Sequence, residues 1–172
     1  MGTLLRSLSL TASLVLTAGL STYAASTAQA TTTTPWCGNA DLAASYRHSD
    51  SGAGHVYGWI VLRNVSGHAC ETGGFGGLSY VGDGDGTQIG APADRDGASA
   101  GGIVLAPGQR VRSQVDETRA QNYPRMRCQR AHVDGFRIYV PDSTTSQYVA
   151  HPTTGCRNDA VHLLSHRAYR RP

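Results

Sequence analysis

The stretch His55-Val56-Tyr57-Gly58-Trp59-Ile60-Val61-Leu62-Arg63 decides the fold. It is dense in Val, Tyr, Trp, Ile and Leu, and both faces of its two-residue alternation carry apolar side chains, which predicts a strand inside a packed sheet. Turn signals bracket it, Ser49 to Gly54 before and Asn64 to Gly67 after. Working outward, Asp41 to Arg47 is a candidate first strand, and the chain resumes at Ala69 to Glu71. A glycine cluster, Gly73 to Gly77, leads into a short strand at Leu78 to Val81. Gly82 to Gly102 is polar and glycine-rich and reads as one long loop. Ile103 to Leu105 and Val111 to Val115 flank Ala106-Pro107-Gly108, where proline then glycine at the central positions match a type II turn. Val133 to Val140, with a bulge expected at Asp134-Gly135, Tyr148 to Ala150 and Val161 to Leu164 complete about eight short strands, and no eleven-residue window has a helical period. The expected class is all-β, an antiparallel β-sandwich.

An immunoglobulin domain would place a tryptophan between two sheet-joining cysteines roughly 55 to 75 residues apart. Trp59 lies between Cys37 and Cys70, but that span is only 33 residues, so the fold is immunoglobulin-like at most. Trp59, in the middle of the most apolar strand, is expected in the core. Trp36, Trp59 and Tyr57 are also the aromatics a ligand could face.

The first thirty residues set the compartment. Arg6 precedes a short apolar run, Leu8 to Leu20, and Ala28-Gln29-Ala30 has the small-x-small form of a signal-peptidase cut. Ser9, Thr11, Ser13 and Thr17 dilute a run already short of the roughly 20 apolar residues a membrane span needs. No cysteine follows Leu16-Thr17-Ala18-Gly19, so lipid attachment there is not available. The expected organisation is a signal peptide over 1–30, a flexible threonine-rich lead over 31–35, one β-sandwich domain over 36–166 and a basic tail over 167–172. The product is expected to be secreted and extracellular, with no membrane association after cleavage.

Four cysteines, Cys37, Cys70, Cys128 and Cys156, are an even set in an exported chain and predict two disulfides. Zinc ligation would want close pairs, whereas the gaps are 33, 58 and 28 residues. Loop entropy favours roughly 3.5 to 4 kcal/mol per bridge for sequential pairing and slightly more for nested pairing, too small a difference to choose. All 15 basic residues are arginine, which points to a G+C-rich genome, and the formal net charge is +3. That is too little to attract nucleic acid, and the local clusters, Arg125, Arg127 and Arg130 and then Arg167, Arg170 and Arg171, lack interleaved aromatic platforms.

Candidate chemistry is sparse. Gly97-Ala98-Ser99-Ala100-Gly101 fits the G-x-S-x-G pattern, with Asp134 or Asp142 and His151 or His162 following in hydrolase order. A nucleophile elbow needs a strand before the serine and a helix after it, and no helical segment is near. Asp83, Asp85, Asp94 and Asp96 crowd one predicted loop and could ligate calcium, but no glutamate closes the set and Asp-Gly pairs also make tight turns. Seven histidines form no tight cluster, although His162 and His166 could share a strand face. Tyr46, Tyr57, Tyr80, Tyr123, Tyr139, Tyr148 and Tyr169 could, with Trp36 and Trp59, form a glycan-binding face. Asn64-Val65-Ser66 is a glycosylation sequon in form and an ordinary turn otherwise.

Taken together, Cys37, the strand Gly58 to Gly67 running to Cys70, Gly73-Gly74-Phe75, the turn Leu105-Ala106-Pro107-Gly108 and a late Cys156 resemble the secreted actinobacterial family named domain of unknown function 4232. The resemblance covers most of residues 37 to 165. It implies a β-sandwich with cysteines paired in sequence order, Cys37–Cys70 and Cys128–Cys156, and implies no activity. The segment Gly82 to Gly102 departs from the family pattern. The reading is a secreted, non-catalytic domain without a cofactor, binding a cell-wall glycan or an extracellular protein. The alternatives are a protease inhibitor presenting Gly82 to Gly102 and, least favoured, a small hydrolase using Ser99.

Overall fold

Strand β2 (His55–Asn64) runs through the larger of two packed sheets and sets the rest in register around it. The structure, a computed structural model, describes residues 33–99 and 101–172. The expected signal peptide and the first two residues of the threonine-rich lead lie outside the described residues.

On one side β2 pairs with β1 (Leu42–Gly52) and on the other with β8 (Arg110–Thr118), both antiparallel. The sheet continues through β11 (Leu164–Arg167) to β6 (Asp94–Asp96), and that last pair is parallel. The second sheet has the order β10 (Ser146–Cys156), β9 (Arg130–Tyr139), β4 (Gly77–Gly82), β5 (Thr87–Gln88). A small ribbon joins β3 (Cys70–Thr72) to β7 (Ile103–Leu105). The fold is the expected all-β sandwich, with one parallel edge pair that the sequence does not announce. Among the described residues the single α-helical turn, α1 (Arg125–Cys128), follows Pro124 and stops at Gln129 in the left-handed region.

Alternation along the two inner faces builds the core. Ile60 and Leu62 of β2 and Val111 and Val115 of β8 are buried with Leu78 and Tyr80 of β4 and Phe136 and Ile138 of β9. Each such aliphatic or aromatic side chain contributes about 1.5–3 kcal/mol on burial. Two disulfides clamp the ends. Cys37–Cys70 holds the entering chain against β3, where the Cys37 and Glu71 amides donate to the Glu71 and Pro35 carbonyls. Cys128–Cys156 joins the end of α1 to the end of β10. The pairing is the sequential one implied by the family resemblance, and among the described residues no cysteine is free.

Several expectations need correction. Trp59 is not in the core: the buried row of β2 is Gly58, Ile60, Leu62 and Asn64, so Tyr57, Trp59 and Val61 face outward. The turn expected over Ser49 to Gly54 is tighter, because β1 passes a bulge between His48 and Asp50 and runs on to Gly52. Ala53 and Gly54 then turn with positive φ, the two-residue geometry that matches strand twist. The bulge expected at Asp134-Gly135 lies on the partner strand, between Ala150 and Thr153.

Gly82 to Gly102 is not one loop. It contains β5 and β6 and is pinned between them by fully buried Ile89, whose amide donates to the Tyr80 carbonyl, and by the Ala93 amide on the Leu78 carbonyl. Gly90 follows at φ 71°, and a Cβ there would overlap the Cys156 carbonyl. Residues 167–172 are not a free tail either: Tyr169 is buried and donates its amide to the Gly74 carbonyl, and Arg170 exchanges both backbone hydrogen bonds with Arg112.

Candidate functional site

Glu117 ends the inner row of β8 and is 3% exposed. A carboxylate there needs partners, since an unpaired buried charge is costly. Its Oε1 accepts from Tyr46 Oη at 2.7 Å, and its Oε2 from Tyr80 Oη at 2.5 Å and from His151 Nε2 at 2.8 Å. His151 lies parallel to Phe136 at 4.5 Å and edge-on to Tyr46 at 4.5 Å. Gly58 makes the arrangement possible: a Cβ at that position would run into the Tyr46 ring. Burial alone would raise the Glu117 pKa, but the hydrogen bond and charge of His151 and the two tyrosine hydroxyls more than reverse it, leaving it below the ordinary value. Burial and the Glu117 carboxylate push both hydroxyls well above the usual phenol range. With all donors engaged on one ionised carboxylate, the cluster is suited to locking the two sheets together. The recess beside it holds about 130 Å³.

A depression of about 630 Å³ lies on the outer face of the four-stranded sheet, where Gly84, Gly86, His132, Asp134, Tyr148 and Pro152 contribute to its lining. Tyr148 is 59% exposed. Its ring lies over Gly135, where a Cβ would come within 2.7 Å of it, and its hydroxyl donates to the Asp134 carbonyl at 3.0 Å. The Asp134 carboxylate accepts from the Gly84 amide at 2.9 Å and stands 3.3 Å from His132 Nε2. The result is a fixed, exposed ring beside a paired acid and imidazole.

The outer face of the five-stranded sheet differs. Trp59 pairs in register with Arg47 and Gln114, and Arg63 with Arg110. The guanidinium of Arg112 lies over the Trp59 ring at 4.1 Å and that of Arg170 at 5.2 Å. Tyr57, two residues along the same row, stacks on His55 at 5.9 Å. Trp36 is elsewhere, 49% exposed and bridged to Glu71 beside the β3–β7 ribbon, so the three candidate aromatics do not form one surface. Nor do the tyrosines, because Tyr80 and Tyr169 are core residues and Tyr46 turns inward to Glu117.

The four aspartates separate. Asp83 and Asp85 belong to the β4–β5 hairpin of one sheet, and Asp94 and Asp96 to the edge strand of the other. Asp83 makes a bidentate pair with Arg157, whose hydrogen bonds hold its pKa below the usual range, and the Thr87 amide does the same for Asp85. Asp94 meets His162, and Asp96 meets Arg167. Among the described residues no three His, Cys, Asp or Glu side chains converge as metal ligands would. His162 is exposed at its aspartate while His166 is buried beside Ser113 at 3.3 Å, so these two share no face. Ser99 lies in the connection between β6 and β7 beside Gly74, with strands on both sides and no helix to make an elbow. His151 is committed to Glu117, and Asp142 sits in the turn after β9 at φ 62°.

The profile of one family, described as Domain of unknown function (DUF4232), matches residues 37–167. The chain belongs to that family. Among curated proteins and among solved structures, no match to the chain is found. A DUF4232 domain brings no activity by its description, so the functional residues rest on geometry. Glu117, His132 and the outward Arg47, Arg63, Arg110 and Arg112 of this DUF4232 domain are not singled out in the sequence, and Asp134 enters there only as a triad acid. Glu117 had a signal: the alternation Val111, Ser113, Val115 extends to it and puts it on the inner row.

Proposed function

We propose that this DUF4232 domain is an exported, non-catalytic binding module that acts at the cell envelope or in the medium, and that it takes a neutral glycan in the depression on its four-stranded sheet. The observation carrying this reading is Tyr148, an exposed ring immobilised from behind by Gly135 and at its hydroxyl by Asp134. Such a ring offers a flat apolar platform to the C–H face of a sugar, while His132 and Asp134 offer donors and acceptors to its hydroxyls. The rigid, disulfide-clamped frame supports the same reading, since a preorganised surface loses little freedom on binding. Two disulfides suit an oxidising compartment, and among the described residues no helix is long and apolar enough to cross a membrane. An inhibitor would need a protruding bait segment, whereas Ile89 and Ala93 tie 82–102 to the domain.

The test is retention of the mature protein on purified cell-wall polysaccharide, with titration of soluble fragments. Tyr148→Ala should weaken binding at least about tenfold, roughly 1.4 kcal/mol, with the thermal midpoint unchanged. Equal binding by the variant would remove the depression from consideration.

A further inference from the structure

We propose that the outer face of β1, β2 and β8 is a second, separate binding surface, for a linear polyanion whose repeated phosphate groups carry neither bases nor acyl chains. Five arginines from four segments meet there: Arg47, Arg63, Arg110, Arg112 and Arg170. Their five charges exceed the +3 of the whole chain, so the remaining residues together are net acidic. None of the five makes an ion pair among the described residues, although Arg157 and Arg167 on other parts of the surface do. Along β8 the outward row is Arg110, Arg112, Gln114 and Asp116, and that aspartate is held by His55 Nδ1 at 2.6 Å.

Two arginine pairs stand directly opposite one another across neighbouring strands, Arg63 with Arg110 and Arg112 with Arg170. Like charges so placed destabilise a sheet, and a multiply charged anion spanning them would reverse the sign of that contribution. Trp59 decides the class of ligand. With two guanidinium groups over its ring, the half-buried indole serves as their support and leaves little of its face to a sugar or a nucleobase. The site therefore presents two N–H forks stacked on the indole and three exposed guanidinium groups around them. A depression of about 150 Å³, lined by Trp59 with Arg47, Val61, Arg110, Arg112 and Pro172, has room for one tetrahedral oxyanion. Arg63, paired opposite Arg110, can meet the next group along a chain, since alternate residues of a strand are roughly 7 Å apart. A polymer of phosphate groups satisfies both features.

The experiment is calorimetric titration of the mature, disulfide-bonded protein with sodium polyphosphate at low and physiological salt. Wild type should bind, more weakly as salt rises. Arg112→Gln/Arg170→Gln should lose at least about tenfold in affinity. So should Arg47→Gln/Arg110→Gln, whose exposed side chains are not stacked and whose loss leaves the fold intact. Each pair should make the log–log salt dependence shallower by roughly one to two units. Arg125→Gln/Arg127→Gln removes equal charge elsewhere and should stay within about twofold of wild type. Tyr148→Ala should leave polyphosphate affinity unchanged, which separates this surface from the glycan depression. The proposal is overturned by absence of binding, by an equal loss in the Arg125/Arg127 variant, by loss in Tyr148→Ala, or by single-stranded DNA or anionic lipid vesicles binding as tightly as polyphosphate.

Discussion

Replacing Glu117 with glutamine keeps the side chain's shape and removes its charge. Glu117 now accepts three hydrogen bonds, from Tyr46, Tyr80 and His151, while 3% exposed. In glutamine only the amide oxygen accepts, and the new NH₂ faces groups that are themselves donors. At least one former donor is left unsatisfied in the core. Hydrogen bonds to charged groups are worth about 1.5–3 kcal/mol each, and a buried donor left unsatisfied costs about 1–3 kcal/mol. Because the two tyrosine hydroxyls can rotate to accept, the expected loss at neutral pH is about 2–4 kcal/mol. For a domain of this size that lowers the thermal midpoint by roughly 6–12 °C. The sign with pH follows from the depressed Glu117 pKa. Its stabilisation is fully present above the unfolded value of about 4.3 and is lost as pH falls through the lower folded value. The gap between wild type and Glu117→Gln should therefore narrow in acid. Thermal and urea unfolding across the acid range, disulfides intact, measure it. Equal stability at neutral pH, or a gap that widens in acid, would refute the reasoning.

Intact-mass analysis of exported protein should find a chain starting at Thr31 without a free thiol; a retained leader or thiol labelling after denaturation would contradict it. His166 is buried, and that burial, with the Arg95 charge second, lowers its pKa to about 4. Because the unfolded imidazole takes its proton near pH 6.5, this contribution is present above about 6.5 and lost down to about 4, so His166→Gln should flatten the stability profile there, as followed by unfolding midpoints. Gly90→Ala should destabilise by about 2 kcal/mol or more, since positive φ and the Cys156 carbonyl both oppose a Cβ; chemical denaturation checks it. Ser99→Ala should leave ligand binding unchanged, and a fluorophosphonate should not label Ser99 in the folded protein.

Strand β2 was legible because apolar residues fill both of its faces, yet that same fullness misplaced Trp59. An outward tryptophan covered by arginines reads in sequence like a core residue, since periodicity reports that a side chain is covered and not by what. Gly82 to Gly102 was illegible for the opposite reason: one buried side chain, Ile89, among polar neighbours makes no period, and β6 adds to its sheet through backbone pairing and exposed ion pairs, without an apolar side chain of its own. The disulfide pairing was reachable only through family resemblance, because loop lengths do not discriminate. Neither surface was visible as a surface. Arg110 and Arg112 alternate openly with Val111 and Ser113, but Arg47, Arg63 and Arg170 join them only once the strand order is known. The same holds for Tyr148, which needs Asp134 and Gly135 on the neighbouring strand to become a fixed platform.

The central claim, that this domain works by binding through its sheet faces and without chemistry, is tested most directly by one measurement. Folded mature protein is titrated with purified cell-wall polysaccharide fragments while the fragments are followed by mass spectrometry. Saturable binding that Tyr148→Ala weakens at least about tenfold, with every fragment recovered at its original mass, is the expected result. Fragments that shorten or lose substituents in the presence of protein, or wild type that binds no better than Tyr148→Ala, would contradict it.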